Sequence, residues 1–161
     1  MLRDPVDCEI ATQFLELLWA SGLDFNQPLY TNGGTILSSC SEQDYWDDWA
    51  LKALIKCGAN PLLPMPDRDN YTKLELAAEL PNGGCSSKCV EILLNSKYVF
   101  DLPGEGLESL ISTLEDKAKS RKVWSNVRVL SQFASKYEVY TRGPLAQRSP
   151  TSPKTYLLNP V

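Results

Sequence analysis

The residues best suited to chemistry in this chain are a pair of cysteines and two pairs of carboxylates. Cys85 and Cys89 stand four apart, a spacing that sets both thiols on one helix face near a first turn, where the helix dipole lowers a thiol pKa. A reactive thiol or a metal pair would use that arrangement. A structural zinc site needs two more ligands, and Cys40 and Cys57 fall in other elements, so burial as small apolar side chains is the preferred reading. Asp47 with Asp48, and Asp67 with Asp69, offer carboxylates for acid–base work,. Such neighbours on turns are ordinarily solvated, and no glycine-rich phosphate loop or nucleophile elbow accompanies them. The chain contains no histidine, which removes Ser-His-Asp and Cys-His nucleophiles, histidine-ligated zinc proteases and the common proton shuttle near neutral pH. We therefore expect no enzyme: no catalytic residue, no metal and no cofactor.

Charge narrows the partners. Lys117, Lys119, Arg121 and Lys122 form the one dense basic run, continued by Arg128, and such a run can contact phosphates. It equally suits a solvated turn between helices, with cations placed against the C-terminal end of the first helix dipole. A formal net charge of -4 gives no general attraction to nucleic acid or to an anionic membrane,, so nucleic-acid binding is disfavoured. The segment from Ile10 to Ala20 is interrupted by Thr12, Gln13 and Glu16 and preceded by acidic residues, unlike a secretory signal, and no span of membrane length follows. Five irregularly spaced cysteines in 161 residues fit a reduced compartment, cytoplasmic or nuclear.

The elements around these residues follow a recurring order. Leu51, Leu54 and Ile55 lie at helical spacing before Gly58-Ala59-Asn60, where Gly can end a helix in the left-handed conformation. A connection containing Pro61, Pro64 and Pro66 leads to Asp67–Tyr71, whose composition is that of a turn, and Thr72 can cap a helix carrying Leu74, Ala77 and Ala78,. Upstream, Leu15, Leu18 and Trp19 precede Gly22-Leu23-Asp24, with Gly22 and Gly58 36 residues apart, and Asp4-Pro5 or Asp7 can open that helix,. Thr35-Ile36-Leu37 repeats Thr72-Lys73-Leu74 at a distance of 37. Leu93 follows Leu54 by 39, after Pro81-Asn82-Gly83-Gly84 and a start at Ser86 or Ser87. Trp46 and Trp49, among carboxylates, can form a cation-binding surface or pack under the next helix; packing is preferred. Leu107–Lys119 and Val123–Tyr137 read as a final helix pair.

This order, apolar helix, Gly-Ala-Asn, turn, Thr-x-Leu-x-x-Ala-Ala, resembles the ankyrin repeat, whose elements recur about every 33 residues. The resemblance covers residues 10–96 and is strongest over 51–78. It implies an all-α fold: an ankyrin-like helical solenoid of about three to four stacked helix pairs with extended fingers. The copies fall at about 8–26, 33–60 and 70–97, with a C-terminal pair at 107–137, all within a domain of residues 1–140. The family commonly has Thr-Pro-Leu-His, whereas Ile36 and Lys73 replace the Pro and Ser38 and Glu75 the His, which implies a divergent array. The family's function implies a protein–protein interaction scaffold or adaptor whose partner the motif does not identify. By resemblance, partner-binding residues are Tyr30, Asn32, Leu63, Met65, Arg68 and Tyr71. The Pro-rich finger is expected to project, holding Leu63 and Met65 in solvent beside Arg68.

Residues 141–161 hold Pro144, Pro150, Pro153 and Pro160 without helical period and are expected to form a disordered, flexible tail. Ser149-Pro150 and Ser152-Pro153 suit a proline-directed kinase, so Ser149 and Ser152 are candidate phosphorylation sites.

Overall fold

In the computed structural model, residues 5–29, 33–39, 48–80 and 87–137 are described, apart from the side chains of residues 5–7 and Asp67. Helix α1, Pro5–Ala20, begins with a proline, whose missing N–H costs nothing in a first turn,. It ends at Gly22, whose φ of 95° lies in the left-handed region. There Ser21, Gly22 and Leu23 donate backbone bonds of 2.9, 2.9 and 3.1 Å to Leu17, Trp19 and Leu18. Helix α3, Asp48–Lys56, ends at Gly58 with φ 83°. Cys57, Gly58 and Ala59 donate bonds of 2.9, 3.1 and 2.9 Å to Ala53, Ile55 and Leu54. Every bond of the first ending thus returns 36 residues later. So does the turn after it, because Asn26 N–H donates to Asp24 Oδ1 and Leu62 N–H to Asn60 Oδ1, each at 2.9 Å.

The two Thr-x-Leu segments also act alike. Thr35 precedes the single-turn helix α2, Ile36–Ser39, and its Oγ1 accepts from Ser38 N–H at 3.3 Å. Thr72 precedes α4, Lys73–Glu79, with a full capping box: Glu75 N–H donates to Thr72 Oγ1 at 3.1 Å and Thr72 N–H to Glu75 Oε2 at 2.8 Å,. Helix α5, Ser87–Leu94, has no glycine at its end. Instead Ser96 caps a further short helix, α6, Lys97–Phe100. Helices α7, Gly104–Ser120, and α8, Trp124–Lys136, form the final pair.

These eight α-helices make the described chain mostly helical. Helix α1 packs on α3, α3 on α5 and α5 on α8, so the four lie in succession, while α4 packs on α7; α4 also touches α5, and α7 touches α8. Leu51, Leu54, Leu74, Ala77, Val90, Leu93, Ile111, Leu114 and Leu130 share one continuous core. Leu54 and Leu93, the sequence's counterparts, are both buried. The described strands are a two-residue pair: β1, Pro64–Met65, runs antiparallel to β2, Tyr71–Thr72, with Pro64 opposite Thr72 and Met65 opposite Tyr71. Among described residues no helix is long and apolar enough to cross a membrane.

Candidate functional site

The hairpin built on β1 and β2 connects α3 to α4. Its tip is a 3-10 turn over Pro66–Arg68, followed by Asp69 and Asn70, both in the left-handed region at φ 53° and 61°. Asp and Asn tolerate that conformation because their short polar side chains bond locally. Pro66, Arg68, Asp69 and Asn70 are exposed. Gly33 approaches the same tip: a Cβ built on it would sit 3.1 Å from Pro66 Cγ, and its φ of 82° already favours glycine. The connection before α2 therefore packs beside the hairpin.

The residues expected to bind a partner separate here. Arg68 is exposed, and Leu63 and Tyr71 are half-buried. Met65 is a correction: it is only 3 % exposed, so the finger does not hold it in solvent. Pairing with Tyr71 fixes the strand register, and successive residues of a strand point to opposite faces, so exposed Pro64 implies an inward Met65. Tyr30 and Asn32 lie outside the described residues, as do Ser149 and Ser152 and the whole segment expected to be a tail.

Tyr71 ties the hairpin to the helices. Its hydroxyl donates to Glu79 Oε1 at 3.4 Å, and Lys117 Nζ stands 3.8 Å from the ring centroid. Lys117 also lies 3.7 Å from Glu75 and 3.4 Å from Glu79, and Arg121 lies 3.8 Å from Glu79. Burial works against the Lys117 charge, but the Tyr71 hydroxyl and the two carboxylates outweigh it and hold its pKa above the usual lysine value,. Lys119 is paired with Glu115 at 2.9 Å. Three cations of the basic run thus face carboxylates, which leaves them poorly disposed toward phosphate.

Of the described thiols, Cys57 and Cys89 are buried and Cys8 is half-buried. Cys89 is fully buried, with Sγ 3.5 Å from Asp48 Oδ1, and Cys85 lies outside the described residues. Burial, then the nearby Glu16 charge, raises the Cys57 pKa against a smaller opposing effect of Lys56, the reverse of activation. Asp48 pairs with Lys88 at 2.8 Å; Asp47 lies outside the described residues. Among described residues no group of three or more Cys, Asp or Glu is placed to hold a metal.

One polar residue was not singled out by the sequence. Asn26 Nδ2 donates to Gly58 O at 3.0 Å and to Tyr98 Oη at 3.1 Å, while its Oδ1 accepts from Asn60 N–H at 2.7 Å. It joins the connection after α1 to the one after α3 and to helix α6, and lines an open cavity of about 230 Å³ with Trp19, Asp24, Cys57, Lys97 and Tyr98. The signal available was its place in Asp24-x-Asn26, the counterpart of Asn60-x-Leu62. Comparison of the chain with protein-family models, with curated proteins and with solved structures gave no match.

Proposed function

We propose that this chain is a non-enzymatic protein-binding module of the ankyrin type, a scaffold or adaptor acting in the reduced cytoplasm or nucleus. One observation carries the reading: the helix endings at Gly22 and Gly58 share every backbone bond and the following Asx turn at an offset of 36 residues. The backbone ladder alone is a common helix ending, which α7 also has,; joined to a left-handed glycine and an Asx turn at one offset it supports a recurring unit, and stacked units of this kind serve as recognition surfaces,. The succession α1, α3, α5, α8 beside α4 and α7 supports a solenoid of helix pairs with the hairpin as a finger. Burial of Cys89 and the carboxylate partners of Lys117, Lys119 and Arg121 favour this reading over thiol, metal or nucleic-acid chemistry.

The contact surface is the exposed hairpin tip, Pro66 to Asn70, with the accessible edges of Leu63 and Tyr71; Met65 supports it from below. The test is affinity capture with mass spectrometry using the wild type and Arg68→Glu. Loss of specific partners, at least about tenfold in recovery, with an unchanged melting midpoint is expected. Full retention of every partner by the variant would overturn the assignment of the finger.

A further inference from the structure

We propose that the outer face of α1 joins two copies of this chain in an antiparallel, two-fold dimer centred on Phe14. Ile10, Phe14 and Leu17 occur at i, i+4 and i+7 and so form one stripe,. They are 60 %, 59 % and 68 % exposed. The adjoining side of the helix holds Leu15 and Leu18, which pack on the core. Isolated exposed apolar side chains are ordinary, but three in register on one helix constitute a patch.

Charge points to a second copy, and size to a weak association. The three side chains present roughly 300 Å² per copy, so a pair buries about 600 Å² through the stripe, half of the low end of stable specific interfaces. Helix α1 contains no basic residue; its carboxylates are Asp7, Glu9 and Glu16. Glu16 is neutralised by Lys56 of α3 at 2.7 Å, and that lysine is 71 % exposed. The helix is therefore acidic in its first half and bordered by a cation in its second. On the helical wheel Glu9 and Glu16 flank the stripe on the same side. A two-fold axis perpendicular to α1 at Phe14 sets the Glu9 flank of each copy against the Glu16–Lys56 flank of the other, with opposed helix dipoles. A parallel arrangement would instead bring the acidic first turns together. The inference does not depend on the hairpin surface, which lies on other elements.

Sedimentation velocity on the full chain from about 1 to 100 µM tests the proposal. The wild type is expected to pass from monomer to dimer. Phe14→Glu, at an exposed site, should weaken association by about 100-fold or more with an unchanged circular dichroism spectrum, because the change occurs twice at the centre of the interface. Leu29→Glu, at an exposed residue outside α1, should leave association unaltered. Glu9→Lys should weaken it by about tenfold, and adding Lys56→Glu should restore it. A wild type that remains monomeric overturns the proposal, whether the stripe is then covered by residues 138–161 of the same chain or by a different protein. Dimerisation that persists in Phe14→Glu, or that is indifferent to Glu9→Lys, overturns it as well.

Discussion

The two ends of the helix succession are finished differently. At the C-terminal end, α7 turns Glu105, Glu108, Ser112 and Asp116 outward, and α8 turns out Ser125, Arg128, Ser131 and Gln132, with Trp124 at its first position the one strongly exposed large apolar side chain of the pair. Their inner faces hold Ile111, Leu114, Ala118, Leu130 and Ala134 with no exposure. At the other end, none of the described side chains of α1 is fully buried, and its outer stripe is apolar. A polar outside over an apolar inside closes a stack toward water, whereas an apolar outside leaves a surface that gains by being covered. Of the two, α7 and α8 are the closed end, and α1 is both the less firmly held and the one available for a joint.

The largest effect should come from the shared interior. Leu93 is fully buried between these ends, and Leu93→Ala is expected to destabilise the chain by about 2–5 kcal/mol, as is Leu54→Ala in the neighbouring helix,. Leu15→Ala, on half-buried α1, should cost about 1 kcal/mol or less,. Thermal melts followed by circular dichroism would measure all three. Equal losses at Leu15 and Leu93 would erase the difference between the ends.

Next comes Asn126, which is fully buried in α8 and whose Nδ2 donates at 3.1 Å to both Ala77 O and Ala78 O in the last turn of α4. Its Oδ1 finds no hydrogen-bond partner among the described residues. Asn126→Ala strips two carbonyls of their donor inside the core and should cost about 1–3 kcal/mol. Hydrogen exchange should then quicken in α4 and α8 while α1, expected to exchange fastest of the three, stays unchanged. A uniform response along the chain would contradict the unequal ends.

A smaller effect is set by pH. The Lys117 pKa is raised in the fold, so its contribution is fully present below the ordinary lysine value of 10.5 and is lost as pH rises through the folded pKa,. Melting midpoints of the wild type and Lys117→Met should differ at neutral pH and converge in the alkaline range. A gap that widens there would reverse the sign and remove Tyr71, Glu75 and Glu79 as the cause.

Much of this was legible in the sequence because it is local. Gly22 and Gly58 end helices, Thr72 and Glu75 close a capping box, and Leu54 and Leu93 are interior, all signals within a few residues of chain. Met65 was misread because its burial depends on pairing with Tyr71, and a proline-rich composition carries no register. Ser96 as a cap was missed because the four-residue helix it opens is too short to show a helical period,. The Tyr71–Lys117 contact and the Asn126 bonds join residues more than forty positions apart, and Asn26 joins two connections and helix α6 at once. No spacing rule reaches that far. The exposed stripe of α1 was hidden for a related reason: the leucines that match the repeat, Leu15 and Leu18, mark its inner side, and Ile10, Phe14 and Leu17 match no repeat position.

The smallest predicted effect concerns how each end terminates its helices. After α7, Arg121, Lys122 and Val123 donate to Lys117, Lys119 and Ala118 at 3.2, 3.0 and 2.8 Å, the same ladder that closes α1 and α3. The residue in the left-handed position is now Lys122, with φ 60°, where the other two endings have glycine. A side chain in that region costs about 1–2 kcal/mol, which glycine avoids, although glycine also loses more backbone freedom on folding. Lys122→Gly should therefore stabilise the chain by about 0.5 kcal/mol. Gly22→Ala should destabilise it by about 1 kcal/mol from backbone strain alone, since a Cβ there meets nothing within 4 Å,. Matched denaturant titrations would read both signs. If Lys122→Gly proved destabilising, the Lys122 side chain would be holding the α7–α8 turn by contacts that outweigh its strain, and the closed end would owe part of its firmness to a residue that breaks the pattern of the other two endings.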